Sequence, residues 1–377
     1  MRQLSVVGQA FTAEFPEINT VKISLYGQDV LFSILETDFD TDIALGSYDV
    51  LVKKEAFSIN YRDLAIIMEA GGYFEKNISS LAHFPIGSDF VGVVTKIGPN
   101  VTSVKIGDRV IPDSYLEYKK EKIYSGVPTN NGSKEYEVIT ESKLMPVPDL
   151  MPDSIAGGFT IGAQTSYSMI RRSKVGPKDS VLITSGSSNT SLFILNGLKK
   201  IGCLVSILTT DSEKMQKLYD LGADYVFLVD PDLLVIEQAE LLKQLHTGRK
   251  FNVVFDPFFD LYFSQLLPFV APYGRYISCG FQKQHPNMVT TPSYRIRNSI
   301  DACEMIARVM QNNVSILGNC LGNSDDLKSA VEDYNEGRLV VAVDSTYNED
   351  EMDQFLNRSF FGKMKFGKVV LKYQENN

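Results

Sequence analysis

The sequence predicts an α/β protein of two domains, a barrel-like β domain followed by a doubly wound parallel sheet. Two patterns carry that expectation. Residues 1–150 alternate short apolar runs with Gly, Pro, Asn and Asp, as antiparallel strands and turns do, whereas beyond Asp153 apolar runs alternate with stretches of helical period. The chain of 377 residues also exceeds what one core usually organises, and a hydrophobic content of 44% is enough for two.

In the first region the clearest element is a β-branched run from Ile86 to Gly98 that ends on a Gly turn. A second turn at Gly107-Asp108 leads into Val110, and the two runs together predict an antiparallel hairpin. The polar stretch 113–133 is expected to be a long surface loop. In the second region 166–173 has helical spacing, 180–185 reads as a buried strand, and 191–201 as a helix with Leu192, Leu195 and Leu198 on one side. Strand 204–209, helix 213–221 and strand 225–229 follow. Residues 251–256 and 274–280 continue the sheet and 314–321 end it, and strands that alternate with helices run parallel. The tail contains Phe366-Gly367-Lys368-Val369-Val370-Leu371, which is expected to return to the first domain. The domains are therefore drawn as 1–150 completed by 339–377, and 151–338, with no internal repeat.

A net charge of −9 with no long run of Lys or Arg argues against a nucleic-acid partner, because the chain repels phosphate backbones. Met1-Arg2-Gln3-Leu4 leads into Gln, Glu and Pro, with neither a secretory h-region nor a membrane-spanning run, and a cytoplasmic location is expected. Cys203, Cys279, Cys303 and Cys320 form no Cys-x-x-Cys pair, so packed free thiols are expected rather than a disulfide framework or a zinc ribbon.

The strand-turn-helix from Val181 to Ser191 is the candidate phosphate site. Free backbone amides at a helix start attract a pyrophosphate, provided the turn is built of small residues. Ser185, Gly186, Ser187, Ser188, Asn189 and Thr190 form that turn, and Gly186 is its single glycine. A structural β-α turn with an N-cap serine accounts for the same residues.

The run from Ile86 to Val110, with Ser88-Asp89 ahead of its strand, resembles the medium-chain dehydrogenase/reductase superfamily, in which a Gly-His-Glu or Gly-Ser-Asp step stands there. Ser58-Ile59-Asn60-Tyr61-Arg62-Asp63 resembles the superfamily's active-site segment, Gly162-Ala163-Gln164-Thr165-Ser166-Tyr167 its entry into the cofactor domain, and Leu221-Gly222-Ala223-Asp224 a further shared step. The resemblance covers most of the chain and implies a GroES-like β domain, a Rossmann domain and a nicotinamide cofactor.

It also implies which residues act. Zinc members put a cysteine at the position of Asn60 and a histidine at that of Ser88, and only His83, His246 and His285 occur in this chain, so no metal is expected. Nor does the stretch 112–133 carry the four clustered cysteines of a structural zinc. The resemblance is to the zinc-independent quinone and enoyl reductases, with Asn60, Tyr61 and Asp63 as the catalytic set. Tyr61 as a packed aromatic and Asp63 as a helix N-cap stand as alternatives. Thr165 is expected near the nicotinamide, and Thr209, Thr210, Lys214, Gly280 and Lys368 join the cofactor set. Thr209 falls where NAD enzymes carry an acid, and Lys214 matches a lysine of the NADPH-dependent branch, so NADPH is preferred over NADH. Asp211, two residues on, favours NADH if the turn is shifted, and a solvated helix charge is the other reading of Lys214.

The activity implied is hydride delivery to a carbonyl-conjugated C=C bond of an enoyl or quinone-type substrate. Ser187 to Phe193, with Arg358-Ser359-Phe360 and the 366–370 tail, is also similar to lanthipeptide tailoring reductases, which convert dehydroalanine in a precursor peptide to D-alanine. A scaffold that has lost its cofactor is the non-enzymatic alternative. A homodimer joined at an edge formed by 275–280 and 314–321 is expected, as in dimeric relatives.

Overall fold

The structure, a computed structural model, describes residues 1–115, 117–119, 122–124, 126–229, 250–289, 302–362 and 365–374. His246 and residues 116, 120, 121 and 125 of the polar stretch lie outside the described residues. In chain order the elements begin with β1 (Arg2–Val7), α1 (Gln9–Glu14), β2 (Thr20–Leu25), β3 (Gln28–Glu36), β4 (Asp49–Ser58), α2 (Tyr61–Lys76) and β5 (His83–Pro85). There follow β6 (Asp89–Ile97), β7 (Arg109–Pro112), β8 (Glu117–Lys119), β9 (Lys122–Tyr124), β10 (Tyr136–Thr140), β11 (Leu144–Pro146), α3 (Asp153–Ala156) and α4 (Thr160–Ser173). The parallel region comprises β12 (Ser180–Ile183), α5 (Asn189–Leu198), β13 (Leu204–Thr209), α6 (Met215–Asp220), β14 (Tyr225–Leu228), β15 (Phe251–Asp256), α7 (Phe259–Leu266), β16 (Val270–Ser278), α8 (Ala302–Gln311), β17 (Ser315–Gly318) and α9 (Ser324–Asn335). The chain closes with β18 (Val343–Asn348), α10 (Met352–Phe361) and β19 (Lys368–Lys372).

Two units result, Met1–Ile161 with Val343–Asn377, and Gly162–Ala342. The divides fall later than 150/151 and 338/339, since α3 packs on β4 and β19 and so stays with the first unit, while β18, which pairs with β19, begins only at Val343. The strands of unit 1 hydrogen-bond as two main sheets, of order β2-β3-β1-β5 and β11-β7-β6-β4-β19-β18, with β10 on β4. The returning tail therefore takes an interior place. Ser58 at the end of β4 pairs with Asp89 on one side and Val370 on the other, which sets the start of α2, the start of β6 and Lys368 abreast.

The hairpin forms between β6 and β7, but the second strand begins only at Arg109. Asp108 accepts the Lys105 N–H at 2.9 Å and Gly107 has φ +91°, so residues 105–108 are spent on the turn. The stretch 113–133 is not a plain surface loop. It carries β8 and β9, and its ends, Asp113, Ser114, Thr129 and Ser133, are buried. Ser133 donates to Leu4 O and its N–H to Ile86 O, while Gly132 N–H reaches Gly87 O at 2.8 Å. A Cβ at Gly132 would stand 3.0 Å from the Gly87 carbonyl carbon, and Gly87 itself has φ +93°, so this close passage requires glycine at both positions.

Unit 2 is one parallel sheet of order β14-β13-β12-β15-β16-β17. Leu182, Val254, Phe263, Leu266, Phe269 and Tyr276 lie in a core on one face of it. Helix α5 starts two residues before the expected 191, because Ser188 caps it, and ends at Leu198, ahead of Gly202 in the left-handed region. Of the two strands expected to form an edge only β17 does, since β16 lies between β15 and β17. All four cysteines are free, but Cys303 and Cys320 are exposed rather than packed. Among the described residues no helix is long and apolar enough to cross a membrane.

Lys54 of β4 is fully buried, its ammonium paired with Glu137, bonded to Asn131 O at 2.9 Å and 4.6 Å from the Phe90 ring centre. It ties the stretch after β9 to the strand that leads into the site. Lys54→Ala is expected to lower unfolding free energy by about 3 kcal/mol, since Glu137 keeps the Thr129 hydroxyl but loses its counter-charge, and Glu137→Gln in the same chain to recover part of it. Urea denaturation of the single and double variants checks this.

Candidate functional site

In unit 1 the Asn-x-x-Asp spacing of Asn60 and Asp63 builds a capping box at the start of α2. Asn60 is the N-cap, in extended conformation, and Asp63 stands three residues inside, its Oδ2 accepting the Asn60 N–H at 2.8 Å. Asp63 is therefore not the N-cap. The same Oδ2 accepts from Ser88 Oγ at 2.7 Å, and Oδ1 from Arg62 at 2.8 Å. Asn60 Nδ2 donates to Ser88 Oγ at 3.1 Å and to Asp89 Oδ2 at 2.9 Å, and its Oδ1 accepts from Lys368 Nζ at 2.6 Å. Lys368 also reaches Ile59 O at 3.1 Å and Asp89 at 3.5 Å, and Asp89 Oδ1 accepts the Ile161 N–H at 3.0 Å.

Ser88, Asp89, Asp63 and Lys368 are all buried. Burial pushes the Asp63 carboxyl above its ordinary range, against the pull of Arg62, the Asn60 N–H, Ser88 and Lys368. Burial likewise draws the Lys368 ammonium down, against Asp89 and Asp63. Two carboxylates thus face two cations, and the Asn60 amide has both hydrogens and its oxygen engaged. Tyr61, the first residue of α2, is half-buried. Lys368, grouped by sequence with the cofactor residues, has its ammonium hydrogens engaged in this network.

In unit 2 the chain leaves β12 through Ser185, which has φ +51°. A non-glycine residue in that region carries a strain of about 1–2 kcal/mol. The turn is held by Gly186 N–H to Leu208 O at 2.7 Å and Ser188 N–H to Ser185 O at 2.8 Å. Gly186 is required by close approach, since a Cβ there would stand 2.8 Å from Leu208 O. Ser188 caps α5 by accepting the Ser191 N–H at 3.2 Å, so the structural reading of the turn is also met. The Asn189 amide nitrogen is buried without a hydrogen-bond partner at the helix start.

Thr209 ends β13, buried, and exchanges weak bonds with the backbone of Asp211, while Thr210 is exposed. Lys214 is buried and pairs with Asp211 at 3.1 Å, so it is no solvated helix charge. Gly280 follows β16, its carbonyl accepting from Phe259 N–H at 3.1 Å. Ser185 to Thr190, Thr209, Thr210, Lys214 and Gly280 therefore gather at the carboxyl ends of β12, β13 and β16. Thr165 is buried in α4, whose Ser166 hydroxyl donates to Thr190 O at 2.9 Å. Sequence reasoning missed the Ser88 to Asp63 bond and the buried Asp256, although a lone carboxylate ending the largely apolar strand Phe251–Asp256 was a visible signal.

The alcohol dehydrogenase GroES-like domain family matches residues 46–149, and the zinc-binding dehydrogenase family matches 191–336, together about two thirds of the chain. The chain belongs to the medium-chain dehydrogenase/reductase superfamily. It is an oxidoreductase of that type. An NAD-dependent alcohol dehydrogenase of Sulfolobus acidocaldarius is 24% identical over 352 residues, covering 88% of this chain and 95% of the relative. Two solved structures share the fold. A thermostable alcohol dehydrogenase from Pyrobaculum aerophilum has a TM-score of 0.69 at 18% identity, over 98% of this chain and 99% of that one. The 2-octenoyl-CoA carboxylase reductase CinF from Streptomyces has a TM-score of 0.70 at 19% identity, over 100% and 89%.

A nicotinamide cofactor belongs to this family, and the unit 2 turn fits one. A capped helix start behind a tight turn of small residues is what a pyrophosphate binds, and the unpartnered Asn189 amide nitrogen lies at that helix start. Gly186→Ala is expected to destabilise the protein by about 1–3 kcal/mol through forced displacement of the turn. It should weaken nicotinamide binding at least as markedly, read from a melting curve and from nicotinamide fluorescence.

Proposed function

We propose that the protein is a zinc-independent, NADPH-dependent reductase of carbonyl-conjugated C=C bonds. The observation that carries this reading is the Lys368 ammonium beside Asn60 and Asp89. Catalytic zinc is held by thiolate, imidazole and carboxylate ligands, whereas Asn60 and Ser88 offer a neutral amide and a hydroxyl already engaged with neighbours. A dication beside Lys368 would also meet a like charge. The donor set does not fit zinc.

When bound, NADPH supplies a hydride. The chain's task is to orient the alkene and to stabilise charge as it develops on the conjugated oxygen. Tyr61 is the proposed donor to that oxygen, and its place at the start of a 16-residue helix favours a nearby anion. Asn60, with its amide hydrogens on Ser88 and Asp89, orients this turn, and Asp63 fixes Asn60 and Ser88. Reduction of a simple ketone would concentrate charge on one oxygen, the step for which a metal serves as Lewis acid. Conjugation spreads that charge, which suits a site of neutral donors. CinF, one of the fold neighbours, is named for 2-octenoyl-CoA, itself a conjugated alkene. Dehydroalanine in a precursor peptide is the second substrate of this type, favoured by the 187–193, 358–360 and 366–370 segments.

The NADPH preference rests on Thr209, a neutral residue at the end of β13, and on Lys214. Asp211 pairs with Lys214, and a 2′-phosphate would compete with it for the ammonium. A cytoplasmic homodimer is supported by the four free thiols and by the edge strand β17, where Ile316 is exposed.

The reaction is tested with deuterium-labelled NADPH, small enones and a dehydroalanine peptide in the presence of a chelator. Deuterium is expected at the β-carbon, with solvent hydrogen at the α-carbon, and Tyr61→Phe should lower kcat by tenfold or more with little change in cofactor affinity. Deuterium on a carbinol carbon, or activity lost to the chelator, would sink the reading, and a protein that binds neither nicotinamide would be a scaffold.

For the cofactor, Lys214→Ala should weaken NADPH by about tenfold and NADH much less, and Asp211→Asn should shift preference further toward NADPH. Equal losses for both cofactors on titration would remove Lys214 from phosphate binding.

A further inference from the structure

Asp256 ends β15 fully buried, and its carboxylate collects donors from three neighbouring segments. Oδ1 accepts from the Thr184 hydroxyl at 2.6 Å and from the Phe258 N–H at 3.1 Å, and Oδ2 accepts from the Tyr276 hydroxyl on β16. Four residues on, Asp260 accepts the N–H groups of Gln282 at 2.7 Å and Lys283 at 3.2 Å, which ties down the chain beyond Gly280. None of these groups enters the reaction proposed above.

Thr184 is the residue on which the turn hangs. Its N–H is bonded to Phe255 O at 3.0 Å, its carbonyl accepts from Ser191 Oγ at 2.7 Å, and its hydroxyl is held by Asp256. Every polar group of Thr184 is thus used, and the next residue, Ser185, is the one in the left-handed region. Strain of that kind persists only where the surroundings fix it from several sides. Ser191 passes the restraint on, since its hydroxyl also accepts from Ser188, the cap of α5.

We infer that Asp256 is a positioning residue for the dinucleotide turn, acting through Thr184 to hold Ser185 left-handed and so to aim the amides at the start of α5. Burial pushes the carboxyl up to about 6 while Thr184, Tyr276 and the Phe258 N–H hold it down, as a buried acid whose donors stabilise its charged form requires. Tyr276 in turn has its hydroxyl pushed up by burial and by that carboxylate, so it stays a donor to it. A glycine-poor turn needs such a brace, because Ser185 lacks the freedom by which glycine adopts the same conformation unaided.

The inference rests on the nicotinamide reading of unit 2, and the test separates the two. Amide hydrogen exchange of the ligand-free protein is measured over residues 185–191, alongside NADPH titration, for Thr184→Val, Thr184→Ser, Asp256→Ala and Asp256→Asn. Thr184→Val is expected to speed exchange of the turn and to raise the NADPH dissociation constant by about tenfold. The KM for NADPH should rise more than kcat falls, and Thr184→Ser should restore both binding and protection. Asp256→Asn keeps an oxygen toward Thr184 and should stay within about threefold of the native protein, whereas Asp256→Ala should not. Should Asp256→Ala fail to fold, the Thr184 pair decides. Native-like exchange and affinity in Thr184→Val would overturn the inference. A turn loosened by Thr184→Val in a protein that binds no nicotinamide would uphold the brace and reject the cofactor.

Discussion

Buried carboxylates need donors and counter-charges, and that constraint organises both units. In unit 1 Asp63 and Asp89 lie out of water beside the start of α2, where leaving either unpaired would be strongly destabilising. Ser88, the Asn60 amide, Arg62 and the Lys368 ammonium meet them, and the Ile161 N–H completes Asp89. The start of α2, the start of β6 and the last strand are held together by these bonds as much as by the sheet. The same arrangement leaves little freedom to Asn60, whose amide hydrogens and oxygen are all committed to holding this turn.

Unit 2 repeats the logic with a different purpose. A β-α turn that binds phosphate is usually opened by glycines, but here only residue 186 is glycine and the left-handed position is a serine. Side chains replace backbone freedom: Ser188 caps, Ser191 bridges to Thr184, and Asp256 anchors Thr184 from below. The turn gains rigidity from the same hydroxyls that make its sequence look unlike a dinucleotide-binding turn. Polar satisfaction and the proposed role are therefore hard to separate at Ser188, which caps a helix within the run read as a phosphate turn.

Much of the fold was legible because it depends on local period. The alternation of strand and helix between residues 180 and 256, the β6 and β7 pairing and the returning strand Lys368–Lys372 all left patterns within ten or so residues. What the sequence hid was long-range. Nothing near Lys368 announces that it will meet Asn60, and no local signal says that residues 129–133 turn inward to pack against Ile86 and Gly87. That the residues expected to act in unit 2 lie near one another was readable because a parallel sheet brings its strand ends together by topology alone. Asp256 was readable in principle, as the one charge in a largely apolar strand, but periodicity assigns it only to a strand terminus.

The interior place of β19 bears on how the protein is made. Unit 1 is interrupted by the whole of unit 2, and its main sheet has β19 between β4 and β18. During synthesis the N-terminal strands leave the ribosome long before the strand that completes their sheet, and Ala56–Ser58 at the end of β4, beyond the part that β10 pairs, lack their partner for that interval. Unit 2, continuous in sequence, can close first. The acids beside α2 wait longest of all, since Lys368 is translated more than three hundred residues after Asn60. Until then they can remain hydrated or protonated, so the burial of this site is among the last events in the birth of the molecule.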